Sequence, residues 1–137
     1  MSSITYQSGE NLNPNQVKYL YEDVRWDVYT SDLEKLLRAI NQSQRVITAW
    51  DKDQLVGLIR VNGDEETIVY VQDLLVLTSY QNQGIGEELL TKMLNNYPEV
   101  DRILLLADED PNLRRFYEKC GMKDIKRSNI MSYISMA

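Results

Sequence analysis

The richest chemical arrangement in the chain is Gln81-Asn82-Gln83-Gly84-Ile85-Gly86. An apolar run ending at Leu77 precedes it, and an amphipathic stretch beginning at Ile85 follows. A strand, a loop with two glycines and a helix start make a ready anion site. The first N–H groups of a helix lack internal partners, and the aligned peptide dipoles favour negative charge there. Glycine lets the backbone approach a phosphate because no Cβ intervenes. Taken alone, two glycines equally describe a plain turn. Asp73 is the second feature. It lies inside Val69–Val76, a stretch apolar enough to be buried, and a buried carboxylate needs a partner. That partner is a substrate ammonium, which would make Asp73 a proton acceptor directly or through water, or it is internal: Arg60 on the preceding strand or a sheet-edge hydrogen bond. The lone cysteine, Cys120, sits on an apolar helical stripe and reads as a structural thiol. The chain has no histidine. Proton transfer therefore falls to a carboxylate, a tyrosine, a lysine, the thiol or water. Histidine-based hydrolase triads and histidine-liganded zinc are excluded, and no metal is expected.

The elements that must position these residues follow from local patterns. Ile4 to Gln7 suits a short strand. Asn13-Pro14 starts a helix, with Asn as N-cap and Pro at the first helical position. Val17, Leu20, Tyr21 and Val24 then share one face. Ser31-Asp32-Leu33-Glu34 matches a capping box for a second helix carrying Leu33, Leu36, Leu37 and Ile40. The link Arg25–Thr30 is short and aromatic. Val46–Trp50 and Leu55–Val61 read as a hairpin closed by Asp51-Lys52-Asp53-Gln54. Asn62-Gly63-Asp64 is a turn, and Thr67–Leu77 is a central strand apolar on both faces. The helix after the glycine loop carries Ile85, Leu89, Leu90, Met93, Leu94 and Tyr97 and ends near Pro98. Arg102–Ala107 reads as a buried strand. Asp110-Pro111 caps a fourth helix with stripe Leu113, Phe116, Tyr117 and Cys120, stopped at Gly121. Lys123–Ile134 is expected to add one or two strands. The expected order is β-α-α-β-β-β-α-β-α-β(-β), an α/β fold with a mixed, mostly antiparallel central sheet flanked by about four helices.

Length and charge narrow the classes. A chain of 137 residues suits a single domain, residues 1–137. No apolar run approaches the ~20 residues of a membrane span. The first residues lack the basic flank and apolar core of a signal peptide. With one cysteine, a reducing cytoplasmic setting is expected. A net charge of −6 argues against nucleic acid, whose binding needs clustered bases, and mildly favours a cationic partner. Two other phosphate sites compete with the anion-loop reading. A P-loop needs Lys-Ser/Thr after its glycines, and neither follows Gly86. A dinucleotide fingerprint needs a third small residue where Leu89 stands, and its glycines follow the strand at once, whereas Thr78–Gln83 intervene here.

Val76 to Leu90 closely resembles the acyl-CoA signature of the GNAT N-acetyltransferase superfamily, Q/R-x-x-G-x-G/A after an apolar strand and short loop. Gln81, Gly84 and Gly86 hold its three defined places. Asn112 to Met122 is similar to that family's N-x-x-A-x-x-F/L-Y-x-x-x-G-F segment, with Arg115 in place of the small residue and Met122 in place of Phe. The resemblance implies the GNAT fold, acetyl-CoA as donor, and direct attack of an amine on the thioester. It implies that Gln81, Asn82, Gln83, Gly84, Ile85, Gly86 and Glu87 hold the pyrophosphate. Leu75, Val76 and Leu77 would offer a strand edge to the pantetheine arm where this strand and the next splay apart, and a backbone N–H near Val76 would polarise the thioester. Asn112 and Phe116 fall in the second cofactor segment. Tyr117 matches the family tyrosine that protonates the departing thiolate, and its reference pKa of ~10 lies near a thiol's ~8.5. Glu87 and Glu88 are expected to point away from the phosphates. Asp73 is the candidate base. Trp26, Tyr29 and Asp108 are candidates for the acceptor site. Val71-Gln72-Asp73-Leu74 and Leu106-Ala107-Asp108 further resemble small bacterial members and the plant and cyanobacterial members acting on arylalkylamines. The short chain points to a small amine acceptor. A protein N-terminus or lysine, or acyl-CoA binding without turnover, are the alternatives. Ser128–Ser135 is a candidate for pairing between subunits in a homodimer.

Overall fold

Short-range chemistry sets the helix starts. The Asn13 side chain accepts from the N–H groups of Asn15 (2.8 Å) and Gln16 (3.3 Å), and Pro14 needs no acceptor. Helix α1 (Pro14–Asp23) follows and buries Val17, Leu20 and Tyr21. The computed structural model describes residues 3–136. Strand β1 (Ile4–Ser8) precedes α1. The aromatic link contains a one-turn helix, α2 (Asp27–Thr30), which has no counterpart in the expected order. Helix α3 (Leu33–Gln42) is capped by Asp32, which accepts from Lys35 N–H at 3.1 Å. The capping box expected from Ser31 is thus displaced by one residue. Ser31 Oγ instead donates to Val28 C=O and closes α2.

The chain forms two compact units, one reaching Leu106 and the other starting at Ala107. In the first unit, β2 (Arg45–Asp51) and β3 (Gln54–Gly63) form the expected hairpin, with Lys52 at φ +56° in its tight turn. Strand β4 (Ile68–Val76) pairs antiparallel with β3, and β5 (Arg102–Leu105) pairs parallel with β4. The sheet order is β1-β2-β3-β4-β5, mostly antiparallel as expected. Between β4 and β5 come a 3-10 turn (Thr78–Tyr80) and α4 (Ile85–Leu94). Strand alternation decides which helix covers which face. Gly57 faces α4, where a Cβ would stand 3.0 Å from Leu89 Cδ1. Arg60, three positions on, faces the opposite way, toward Tyr21 and Tyr29 of α1 and α2. The core is therefore double. Leu89, Leu90 and Met93 close one face, and Val17, Leu20, Tyr21, Leu36 and Ile40 close the other.

Two expectations for the chain's end are corrected. The strand read as buried over Arg102–Ala107 is only four residues long and half-buried, because it is the last strand of the sheet. No strand follows it among the described residues. In the second unit, α5 (Pro111–Lys119) is capped by Asp110 and closed at Gly121 (φ +92°), as read. Lys123–Ile134 then turns instead of extending. The Asp124 side chain accepts from Lys126 N–H, its C=O from Arg127 N–H, and Asn129 is left-handed at φ +58°. These local bonds use the backbone groups that a ladder would need, giving a 3-10 turn over Ile125–Ser128.

Candidate active site

The segment between β4 and α4 is tied down at three points. The Asp23 carboxylate, at the end of α1, accepts from Thr78 N–H (2.6 Å) and Thr78 Oγ1 (3.2 Å). Tyr80 donates its hydroxyl proton to Asp51 on the β2–β3 hairpin. Gln81 Nε2 donates to the Val76 carbonyl at 3.0 Å. The signature glutamine therefore staples the loop to the end of β4. Asn82 (φ +64°) and Gly84 (φ +85°) take left-handed backbone, and a Cβ on Gly84 would meet nothing within 4 Å. Gly84 is thus required by its backbone angle and faces open space. Among the described residues, no side chain caps α4, so its first N–H groups are not screened by the loop. Ile85 is buried and anchors the helix start, and Glu88 turns along the helix to Lys92 (3.4 Å).

Strand β4 supplies an open edge beside this loop. Its pairing with β5 runs from Ile68↔Arg102 to Val71↔Leu105 and stops. Among the described residues, β3 is the only strand paired with the stretch from Gln72 to Val76, and on the open side the Gln81 side chain reaches the Val76 carbonyl. The amide of Leu77 donates back to Val56 on β3 at 2.9 Å. By alternation, Val76 is the residue of Leu75–Leu77 whose N–H turns to the open edge. A β-bulge stands at the head of this edge. Arg60 opposes Asp73 and Val61 opposes Val71, so Gln72 is the extra residue. The bulge was not apparent from the sequence.

Asp73 is 3% exposed and carries three internal donors. Arg60 Nε donates to Oδ2 at 2.6 Å, Tyr21 OH to Oδ2 at 2.9 Å, and Tyr29 OH to Oδ1 at 3.0 Å. Arg60 is 4% exposed and also donates to Ser43 Oγ, with its guanidinium 5.9 Å from the Tyr29 ring centre. Of the partners the sequence left open, the internal pair with Arg60 is the one present. Burial lowers the affinity of Arg60 for its proton, and the Asp73 charge more than restores it. Burial first, then the Asp73 charge, pushes the Tyr21 phenol far above its ordinary value. Burial likewise raises Tyr29, against the Gln72 side chain, which donates to its hydroxyl at 3.2 Å. Trp26 and Tyr29 are both half-buried and complete an aromatic cluster with Tyr21, with ring centres 5.4 to 6.2 Å apart. Sequence reasoning missed Tyr21 and Asp23. The only hint of Tyr21's role was a hydroxyl on an otherwise aliphatic buried stripe.

The remaining candidates belong to the second unit. Tyr117 packs edge-on against Phe116, with centres 5.1 Å apart. Burial, then Cys120, raises its phenol above the ordinary value, so it is protonated throughout the neutral range. The Asn112 amide oxygen accepts from Arg115. Arg114 and Arg115 are exposed, with Arg114 near Glu109 (3.9 Å) and Asp124 (3.8 Å). Asp108 is exposed. Among the described residues, no group of three metal-ligating side chains occurs.

The sequence family model described as an acetyltransferase (GNAT) domain matches residues 11–137. The chain belongs to the GNAT acetyltransferase family. A GNAT-family acetyltransferase from Streptococcus pneumoniae has the same fold, with 34% identity, a TM-score of 0.87 and 98% of each chain covered. An uncharacterized N-acetyltransferase of Prochlorococcus marinus is 26% identical over 125 residues, covering 87% of this GNAT chain and 67% of the relative. A histone acetyltransferase of Glycine max is 25% identical over 136 residues, covering 90% of this chain. The chain spans 57% of that soybean protein's length. An aminoglycoside acetyltransferase from a soil metagenomic sample, solved with sisomicin, shares the GNAT fold at 19% identity, a TM-score of 0.71 and 98% and 97% coverage.

Proposed function

We propose that this chain transfers an acetyl group from acetyl-CoA to the primary amine of a small molecule, by direct attack in a ternary complex. The observation that carries the reading is the one-sided pairing of Gln72–Val76 next to the Gly84-capped start of α4. These features fit the donor in order. An open main-chain edge suits an arm bearing amides, as in strand addition. A left-handed glycine facing open space, followed by helix N–H groups, suits a pyrophosphate.

When bound, acetyl-CoA supplies a thioester whose carbonyl carbon accepts the amine. In this reading, Val76 N–H donates to the carbonyl oxygen as charge develops there. Main-chain groups of Gln81 to Glu87 hold the pyrophosphate, while the Gln81 side chain holds the loop. Asn112, Phe116 and Tyr117 are assigned to the donor on the family pattern. Tyr117 enters the reaction protonated and gives its proton to the departing thiolate. Trp26 and Tyr29 present the aromatic side of the acceptor site, and Asp108 adds a carboxylate for its ammonium. Because Asp73 already accepts three hydrogen bonds, its role is to hold Arg60 and Tyr29, and the ammonium yields its proton to water.

A protein lysine or N-terminus is the second reading, favoured by the similarity to the soybean histone acetyltransferase. Thiol release from acetyl-CoA, measured with small primary amines and with lysine-bearing peptides, decides between them. The proposal expects turnover with small amines. Turnover on peptides alone would transfer the acceptor to the second reading. Donor binding without turnover on any amine would leave a binding module.

A further inference from the structure

The bulge in β4 sets Gln72 beside the buried cluster. In a regular strand, Gln72 and Asp73 would point to opposite faces. The extra residue breaks that alternation, and both side chains meet one atom. Tyr29 OH donates to Asp73 Oδ1 at 3.0 Å and accepts from Gln72 Nε2 at 3.2 Å. The order of donors is forced. Asp73 is paired with Arg60 at 2.6 Å, so its carboxylate can only accept. Tyr29 has one hydroxyl proton and gives it to Asp73, which leaves the phenol oxygen to accept. Gln72 must therefore turn its amide nitrogen inward and its carbonyl oxygen, Oε1, outward. Gln72 is exposed, and no donor among the described residues reaches Oε1.

An amide held this way is a fixed reader of hydrogen-bond donors. Arg60 offsets the Asp73 charge, so recognition at Gln72 rests on hydrogen bonding rather than on attraction to a carboxylate. The Tyr29 ring that holds the amide lies 6.2 Å from Trp26, and the two form the aromatic side of the acceptor site. Gln72 precedes Val76 by four positions, ~13 Å along an extended strand. That is too far to touch an amine attacking beside the Val76 amide, but it suits the other end of an elongated acceptor. We propose that Gln72 is a specificity-determining residue, whose Oε1 accepts from a hydroxyl or N–H at the end of the acceptor remote from the reacting amine, and that Tyr29 positions it. The inference rests on the acceptor site proposed above, with the thioester carbonyl at Val76.

Terminal aminooctanol, methoxyoctylamine and octylamine test this, because their amine ends match and only the first carries a remote donor besides its amine. The measurement is kcat/KM for acetyl transfer to each, read as a ratio to octylamine within each variant, so that a general loss cancels. The original protein should favour aminooctanol over methoxyoctylamine about 3- to 10-fold, the effect of one hydrogen bond. Gln72→Leu should abolish that preference. Tyr29→Phe frees the amide to rotate and present Nε2, so it should lose the preference by gaining methoxyoctylamine; a purely structural Tyr29 would change all three amines alike. Equal rates in the original protein, or a preference that survives Gln72→Leu, overturn the inference and leave transfer to small amines standing. If none of the three is acetylated, calorimetric binding to the acetyl-CoA complex supplies the same ratio. A preference abolished by Gln72→Leu then upholds the role of Gln72 even where transfer fails, and equal or absent binding overturns it.

Discussion

Replacing Asp73 by Asn tests the reading of the buried cluster, because Asn keeps the shape and removes the charge. Arg60 would remain, at 4% exposure, with its guanidinium facing a neutral amide. Breaking a buried ion pair by removing one partner costs about 3–5 kcal/mol, since the other charge stays desolvated. The loss is compounded at Oδ2, which accepts from both Arg60 and Tyr21. If the amide nitrogen takes that place, two donors face Arg60's donor and only the Tyr21 hydroxyl can turn to accept. If the oxygen takes it, the nitrogen faces Tyr29 instead. Either way a hydrogen bond is lost or reversed. A total of about 3–5 kcal/mol is a large share of the 5–15 kcal/mol typical of a folded protein. Urea unfolding followed by Trp26 and Trp50 fluorescence would read it as a lower midpoint at unchanged slope. The double variant Arg60→Met with Asp73→Asn removes both charges and should regain most of the loss, leaving about 1 kcal/mol from imperfect hydrogen bonding. An Asp73→Asn protein within about 1 kcal/mol of the original would refute the argument. So would a folded, equally stable variant whose kcat alone collapsed, because that is the behaviour of a base.

Tyr117→Phe should lower kcat for thiol release by about 10²-fold and leave the KM for acetyl-CoA nearly unchanged; an unaltered rate excludes the acid role. Gly84→Ala meets no neighbour but forces a side chain to φ +85°, at about 1–2 kcal/mol, and should raise the KM for acetyl-CoA in steady-state assays; an unchanged KM would dissociate the loop from the donor. Stability should fall as pH rises above about 10. The raised Tyr21 and Tyr29 values favour the protonated phenols in the folded state, so their contribution is intact below the unfolded value and is lost through the folded one, each adding up to ~1.4 kcal/mol per pH unit. Urea midpoints between pH 9 and 11.5 would show the decline, and Tyr21→Phe should flatten it.

The parts of this protein readable from sequence are those decided within a few residues. Asn13-Pro14 and Asp110-Pro111 cap helices as their chemistry requires, and Gly84 sits where a left-handed residue opens α4. The cap of α3 slipped by one because Ser31 and Asp32 are both good caps, and only the folded chain shows Ser31 spent on α2. Non-local pairings were not readable. Asp73 meets Tyr21 and Tyr29 across 52 and 44 positions, and the Gln72 bulge exists only in the register between β3 and β4. The one or two strands expected over Lys123–Ile134 are absent, because β-prone composition does not supply the neighbour a strand needs and local bonds around Asp124 turn the chain instead.

The central claim is that one continuous surface, the free edge of β4 and the start of α4, receives the acyl donor. A crystal structure with acetyl-CoA tests it most directly. The account predicts the pyrophosphate on the N–H groups following Gly84 and the arm alongside Gln72–Val76, with the thioester carbonyl near Val76 N–H. A donor bound elsewhere, or an arm that leaves the edge of β4 bare, would contradict it.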